Sequence, residues 1–181
     1  MRLFSRHLII ALLSVLVIAC SSNDGTNTNN SDNQGLNIVA TTGMIADMVS
    51  VIGGDNVTVK GLMGPGVDPH LYKASAGDVS LLSKADVIFY NGLHLEGKMA
   101  EIFEQMKKRG IDTVAVADGI NRDDLLAPPE FKGNYDPHIW FDVDLWSDTV
   151  GTVKEKLVEM DPQNSQEYNQ NAEAYLEELS E

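Results

Sequence analysis

The sequence predicts an α/β fold, a mostly parallel four-stranded sheet flanked by helices. Three observations predict it. Short apolar runs alternate with stretches whose apolar residues recur every three or four positions. The connections between them are short, and helix boundary signals fall where the periodicity changes. Alternation of this kind builds right-handed crossovers and a sheet covered on both faces.

The first strand is expected over 37–41 (NIVAT), followed by a helical stripe at Met44, Ile45, Met48, Val49 and Ile52 that ends at Gly53-Gly54. The second strand is expected over 57–63. Ser75 with Asp78 reads as a capping box, opening a helix through Val79 and Leu82. Residues 86–90 (DVIFY) form the third strand. Met99, Ile102, Phe103 and Met106 mark the next helix face, whose last turn carries Lys107, Lys108 and Arg109 before Gly110. Residues 112–116 (DTVAV) supply the fourth strand. A helix beginning near 142–144 carries Trp146, Val150, Val153, Leu157 and Met160. A last one is expected to open at Asp161-Pro162, with Asp as N-cap and Pro at the first helical position. Its stripe of Tyr168, Ala172, Tyr175, Leu176 and Leu179 is still running at Ser180-Glu181, so the chain is expected to be the front part of something longer.

The chain has 181 residues and a formal net charge of −14. That balance argues against nucleic-acid binding, which requires a basic face, and is compatible with attracting cations. Arg2 and Arg6 precede a short apolar segment, 8–18, which ends in Val17-Ile18-Ala19-Cys20. Residues 1–19 read as a signal peptide and Cys20 as a lipid-attachment residue, as in a bacterial lipobox. Cys20 is the single cysteine, so no disulfide is expected. Residues 20–35, rich in Asn, Ser, Gly and Asp, read as a lipid-anchored flexible tether. An extracytoplasmic protein held at a membrane follows.

Two stretches share a tripeptide: Asp68-Pro69-His70 in GPGVDPHLY and Asp136-Pro137-His138 in YDPHIWFD. A given histidine has about a 1-in-400 chance of that prefix, and the chain holds four histidines. Proline restricts its own φ and pushes the residue before it toward extended geometry, so Asp-Pro limits where the imidazole can point. Rigid placement suits a metal ligand. Asp68 or Asp136 can accept a ring N–H and so select the tautomer. Both tripeptides fall on loops near strand or helix ends, where α/β sheets bind ligands. His70 and His138 are therefore the candidate metal ligands, with Asp68 and Asp136 behind them. Two imidazoles do not close a site, because tight divalent binding takes four or more donors. His94 lacks the prefix and is read as structural. Trp140 and Trp146 are read as packing groups, and Asp123 and Asp124 as a solvated loop.

On the segments NIVATTGMIADMVSVIGGD, GPGVDPHLYKASAGDVSLLSKADVIFYNGLHLEGKM and YDPHIWFDVDLWSDTV, the chain resembles the TroA-like metal-binding solute-binding proteins of ABC importers. The likeness covers nearly all of 36–181. It implies two α/β lobes joined by a long backbone helix, with the metal between them and two histidines from the first lobe, matching His70 and His138. On that pattern 36–160 is the N-terminal metal-binding lobe and 161–181 the start of the interlobe helix. On the same pattern the second lobe, which would bring the third and fourth ligands, is expected to have no counterpart in 1–181. The resemblance implies a monomer that hands a divalent ion to an importer permease and is not an enzyme. Zinc receptors of the group often carry a histidine-rich loop before the second tripeptide. Residues 121–135 contain no histidine, which favours manganese, with zinc or iron as the other options. The rival class is an extracytoplasmic zinc hydrolase using Glu96 or an Asp as base; a surface adhesin is a third. No HExxH helix, GxSxG elbow or dinucleotide fingerprint supports an enzyme.

Overall fold

A computed structural model of the chain describes residues 35–181; the signal peptide, Cys20 and nearly all of the tether lie outside the described residues. The elements run β1 (Leu36–Ala40), α1 (Gly43–Gly53), β2 (Val57–Gly61), α2 (Ala76–Leu82), β3 (Val87–Tyr90), α3 (Ala100–Lys108), β4 (Asp112–Ala115), α4 (Val143–Met160) and α5 (Ser165–Leu179). The four strands pair in the order β2-β1-β3-β4, and every pairing is parallel.

The central strands explain the layers. Along β1 and β3, successive side chains point to opposite faces. Ile38, Ala40, Val87 and Phe89 enter one core with α1, α4 and α5. Val39 and Ile88 enter a second core with Leu82 of α2 and with Phe103 and Met106 of α3. Each of these side chains is at most 4% exposed, so β1 and β3 are buried on both faces, as parallel strands require. The edge strands β2 and β4 are only half covered.

Several boundaries match the local signals. Ser75 accepts from the Asp78 backbone N–H while Asp78 accepts from the Ser75 N–H, a complete capping box. Lys107 and Lys108 lie in the last turn of α3, and Gly110 follows at φ 82°. The Asp142 carboxylate caps α4 by accepting from the backbone N–H groups of Asp144 and Leu145.

Other expectations are corrected. β2 ends at Gly61 rather than at 63, although Leu62 and Met63 still donate to the Ala40 and Thr41 carbonyls. Met44 belongs to the expected apolar stripe of α1. It is 37% exposed and lines an open groove with Met63, Val67 and Trp140. The last helical segment opens at Asp161-Pro162, with Asp161 at the N-cap position and Pro162 at the first helical one, but its first turn is not α. A 3-10 turn, Pro162–Asn164, intervenes, and α5 begins at Ser165. The Asp161 carboxylate accepts instead from Asn164 Nδ2 at 2.6 Å and Tyr168 Oη at 2.7 Å. Residues 161–181 share the core of the preceding chain, since Tyr168 and Ala172 are buried among α1 and α4 side chains. Among the described residues no helix is long and apolar enough to cross a membrane.

Burial opposes ionisation of Asp161, but the hydrogen bonds from Asn164 and Tyr168 outweigh it and hold the carboxyl below its ordinary range. A depressed carboxyl stabilises the fold above its unfolded pKa, and that contribution is lost as pH falls through the folded value. Tyr168→Phe is expected to cost about 1–3 kcal/mol at neutral pH. The gap between variant and wild type should narrow in acid as Asp161 protonates. Urea unfolding at pH 7 and near pH 3 measures both; a pH-independent gap would reject the coupling.

Candidate metal centre

The shared tripeptide builds the same turn twice. Asp68 Oδ1 accepts from the His70 backbone N–H at 2.9 Å, and Asp136 Oδ1 accepts from the His138 N–H at 3.0 Å. Each is an aspartate side chain closing over the peptide two residues on, with proline locking φ in between. The repeat thus has a local cause: a rigid turn that ends on histidine. The two loops are fixed to the body separately. Tyr72 Oη donates to Asp78 Oδ2 at 2.9 Å, tying the chain after His70 to the start of α2. The Asp136 N–H donates to the Leu126 carbonyl at 2.7 Å, and the Pro137 carbonyl accepts from Asn91 Nδ2 at 3.0 Å.

The first loop follows β2 and the second follows β4, the two edges of the sheet, yet they meet above its carboxyl ends. His70 Nε2 lies 3.1 Å from His138 Nε2, with ring centroids 5.1 Å apart and planes inclined by 59°. The two residues are 68 positions apart in sequence. Both are half-buried, so the nitrogens are sheltered but reachable.

His138 is oriented from its other nitrogen. Nδ1 lies 2.6 Å from Asp136 Oδ1, so a neutral ring donates Nδ1–H and leaves a lone pair on Nε2. Burial opposes ionisation of Asp136, but the backbone and ring N–H groups of His138 more than offset it. The carboxyl is held below its usual range and remains an acceptor. The Trp140 ring stands edge-on to His138 with centroids at 5.3 Å, and the Phe131 ring lies at 6.2 Å. Asp68 does not take the ring-acceptor role considered for it: it accepts from the His70 backbone N–H, not from the ring.

Two nitrogens each about 2.1 Å from one ion lie roughly 3.0 Å apart at a right angle and roughly 3.4 Å apart at the tetrahedral angle. A separation of 3.1 Å falls within that range. Two facing lone pairs repel unless a proton or a cation lies between them, so this pair is suited to sharing one ion. Among the described residues, no group of three or more His, Cys, Asp and Glu is placed to hold a metal. The surroundings are apolar and open. Leu71 is 68% and Phe141 82% exposed beside the two histidines, and a groove of about 570 Å³ runs between Met44, Val67, Pro69 and Trp140.

Glu96, considered as a hydrolytic base, is not presented as one. It is 4% exposed and accepts from Thr41 Oγ1, the Asn91 N–H and the Gly92 N–H. Burial pushes its carboxyl above the usual range against the pull of those donors. His94 is not a core group either; it is exposed, in a left-handed conformation at φ 66°. Trp146 is a packing residue, 6% exposed, donating to Tyr175 Oη at 3.2 Å. Asp123 and Asp124 are exposed on their loop. Asn91 escaped sequence reasoning. A lone asparagine after a strand carries no signal of its own, although its place at the carboxyl end of β3 puts it at the ligand-binding edge.

Comparison with known proteins finds matches over most of the described residues. The family described as zinc-uptake complex component A periplasmic (ZnuA) matches residues 38–181. The chain is 49% identical over 142 residues to the zinc-binding protein TroA of Treponema pallidum, covering 78% of this chain and 45% of that protein. It is 40% identical over 171 residues to the manganese-binding lipoprotein MntA of Bacillus subtilis, covering 93% and 55% respectively. The solved structure of the Treponema pallidum periplasmic zinc-binding protein superposes with a TM-score of 0.75 over 81% of this chain and 52% of that one. The chain spans about half the length of the curated relatives it matches.

Asp136→Ala is expected to free the His138 ring and mix its two tautomers, with a stability loss of about 1–2 kcal/mol. Long-range 1H–15N correlation of the imidazole measures the tautomer in metal-free protein. An unchanged Nδ1–H pattern in the variant would remove Asp136 from that role.

Proposed function

The chain belongs to the ZnuA family, and from that premise we propose that it is the extracytoplasmic solute-binding component of an ABC importer for a divalent transition metal, manganese foremost. His70 and His138 bind the ion through Nε2. Asp136 holds the His138 tautomer, and Asp68 braces the loop that carries His70. The ion is cargo: it is sheltered between two rigid loops and released to a permease, with no bond made or broken in it. Cys20 carries the lipid that keeps the protein at the membrane, and the protein works as a monomer.

The observation that carries this reading is the 3.1 Å approach of two ring nitrogens from separately braced turns. Neutral imidazoles suit manganese, iron and zinc alike, so the ligand type does not choose among them. The preference for manganese rests on the histidine-free interval 121–135. Related proteins bear both metals in their names, zinc for TroA and manganese for MntA. Two histidines supply part of a coordination shell, and water or further protein groups complete it. The formal charge of −14 raises the local cation concentration, an effect that fades with salt.

The hydrolase alternative loses Glu96 as its base, since that carboxyl is enclosed and accepts from Thr41, Asn91 and Gly92. Nothing in the site favours the adhesin alternative.

Titration of the purified protein with Mn2+ and Zn2+ by calorimetry tests the reading. His70→Ala and His138→Ala are each expected to weaken binding by about 100-fold or more. Manganese should give the higher occupancy at the free concentrations each metal reaches in a metal-buffered medium. Wild-type affinity in both histidine variants would overturn the assignment.

A further inference from the structure

One buried charged group has no part in the site as described. Glu96 sits beneath the carboxyl ends of the two central strands. Its Oε1 accepts from Thr41 Oγ1, just past β1, at 2.7 Å and from the Asn91 N–H, just past β3, at 2.8 Å; its Oε2 accepts from the Gly92 N–H at 3.3 Å. The backbone that leads from Asn91 to Glu96 is itself unusual. Gly92, Leu93 and His94 are all left-handed, with φ of 88°, 51° and 66°. Side-chain-bearing residues disfavour that region, and it persists only where the surroundings impose it. Gly92 is also crowded, since a Cβ there would lie 3.0 Å from that of Ala115.

The consequence falls on Asn91, which is 1% exposed. Its N–H is taken by Glu96 and its carbonyl accepts from the Ala117 N–H at 3.1 Å. With its backbone held at both ends, its side-chain amide is aimed across 46 residues of sequence to the Pro137 carbonyl at 3.0 Å, and shares with the Gly92 carbonyl at 3.2 Å. Proline has no N–H to donate, so its carbonyl is the single backbone handle at that residue. The peptide so held is the one that leads directly into His138.

We propose that Asn91, clamped by the buried Glu96, is a positioning residue that fixes the approach of the His138 imidazole to His70. This rests on the reading of His70 and His138 as the ion-binding pair. The hydrogen bonds on Asp136 set the tautomer of the ring, and the amide of Asn91 sets where its peptide stands. The strained turn and the enclosed carboxylate then share a purpose: both hold Asn91 rigidly against the ends of the two most buried strands.

The test uses full-length protein with Zn2+ and Mn2+ as probes. Asn91→Asp keeps the size of the side chain and removes the N–H that Pro137 accepts. It is expected to weaken binding about tenfold, as loss of a group behind a ligand does. The His138 ring signals in metal-free protein should broaden or shift, while those of His94 stay. Asn91→Ser, too short to reach Pro137, serves as second variant, and Glu96→Gln should act in the same direction. Ile52→Val, a core substitution remote from the loops, is the control for general destabilisation. The proposal is overturned if both Asn91 variants bind like wild type, or if Ile52→Val weakens binding as much. Wild-type affinity in His138→Ala would instead remove the ion-binding reading, a separate outcome.

Discussion

Two imidazole nitrogens 3.1 Å apart impose a condition on the whole molecule. With Nδ1–H of His138 committed to Asp136, its Nε2 presents a lone pair toward His70. Such a pair persists only if something positive lies between the nitrogens or His70 donates a proton, and only if both rings are prevented from turning away. The fold supplies the second requirement in layers. Each ring ends a proline-locked turn closed by an aspartate side chain. The turns are fastened through Tyr72 to α2 and through Asn91 to β3.

The sheet makes that fastening rigid. In the order β2-β1-β3-β4, the chain crosses between β1 and β3, and the loops that leave the strand ends diverge there. β1 and β3 are buried on both faces by apolar side chains, so their carboxyl ends are the least mobile points to which a loop can be tied. Thr41 and Asn91 stand at those ends, and Glu96 bonds both. An enclosed carboxylate is costly unless its oxygens are satisfied, and here three donors satisfy them. Leu71 and Phe141, close in sequence to the two histidines, leave apolar surface open to solvent, and Pro69 and Trp140 line the groove that runs to Met44.

Much of the fold was legible in the chain. All four strands and all five helices follow from apolar periodicity and from end signals such as the Ser75–Asp78 box and the basic last turn of α3 before Gly110. The misreadings have physical causes. Asp161 stands at the N-cap position as its pairing with Pro162 suggests, but its carboxylate is taken by Tyr168 and Asn164 and the first turn is 3-10 rather than α. Met44 has the spacing of a core residue, yet its side chain lines an open groove. Of the site, the two histidines and Asp136 were visible because their tripeptide repeats. Asn91 was not, because an amide that bonds a carbonyl 46 residues away leaves no local pattern.

The sequence by itself determined the order of the elements and the shape of each Asp-Pro-His turn. Those features depend on interactions between residues within a few positions of one another, and the side chains that make them are adjacent in the chain. Only the tertiary structure decided that the two turns face each other. Their meeting spans 68 residues and depends on which strands become neighbours in the sheet. That choice is made by burial on two faces at once, a property of the assembled layers that no single segment contains.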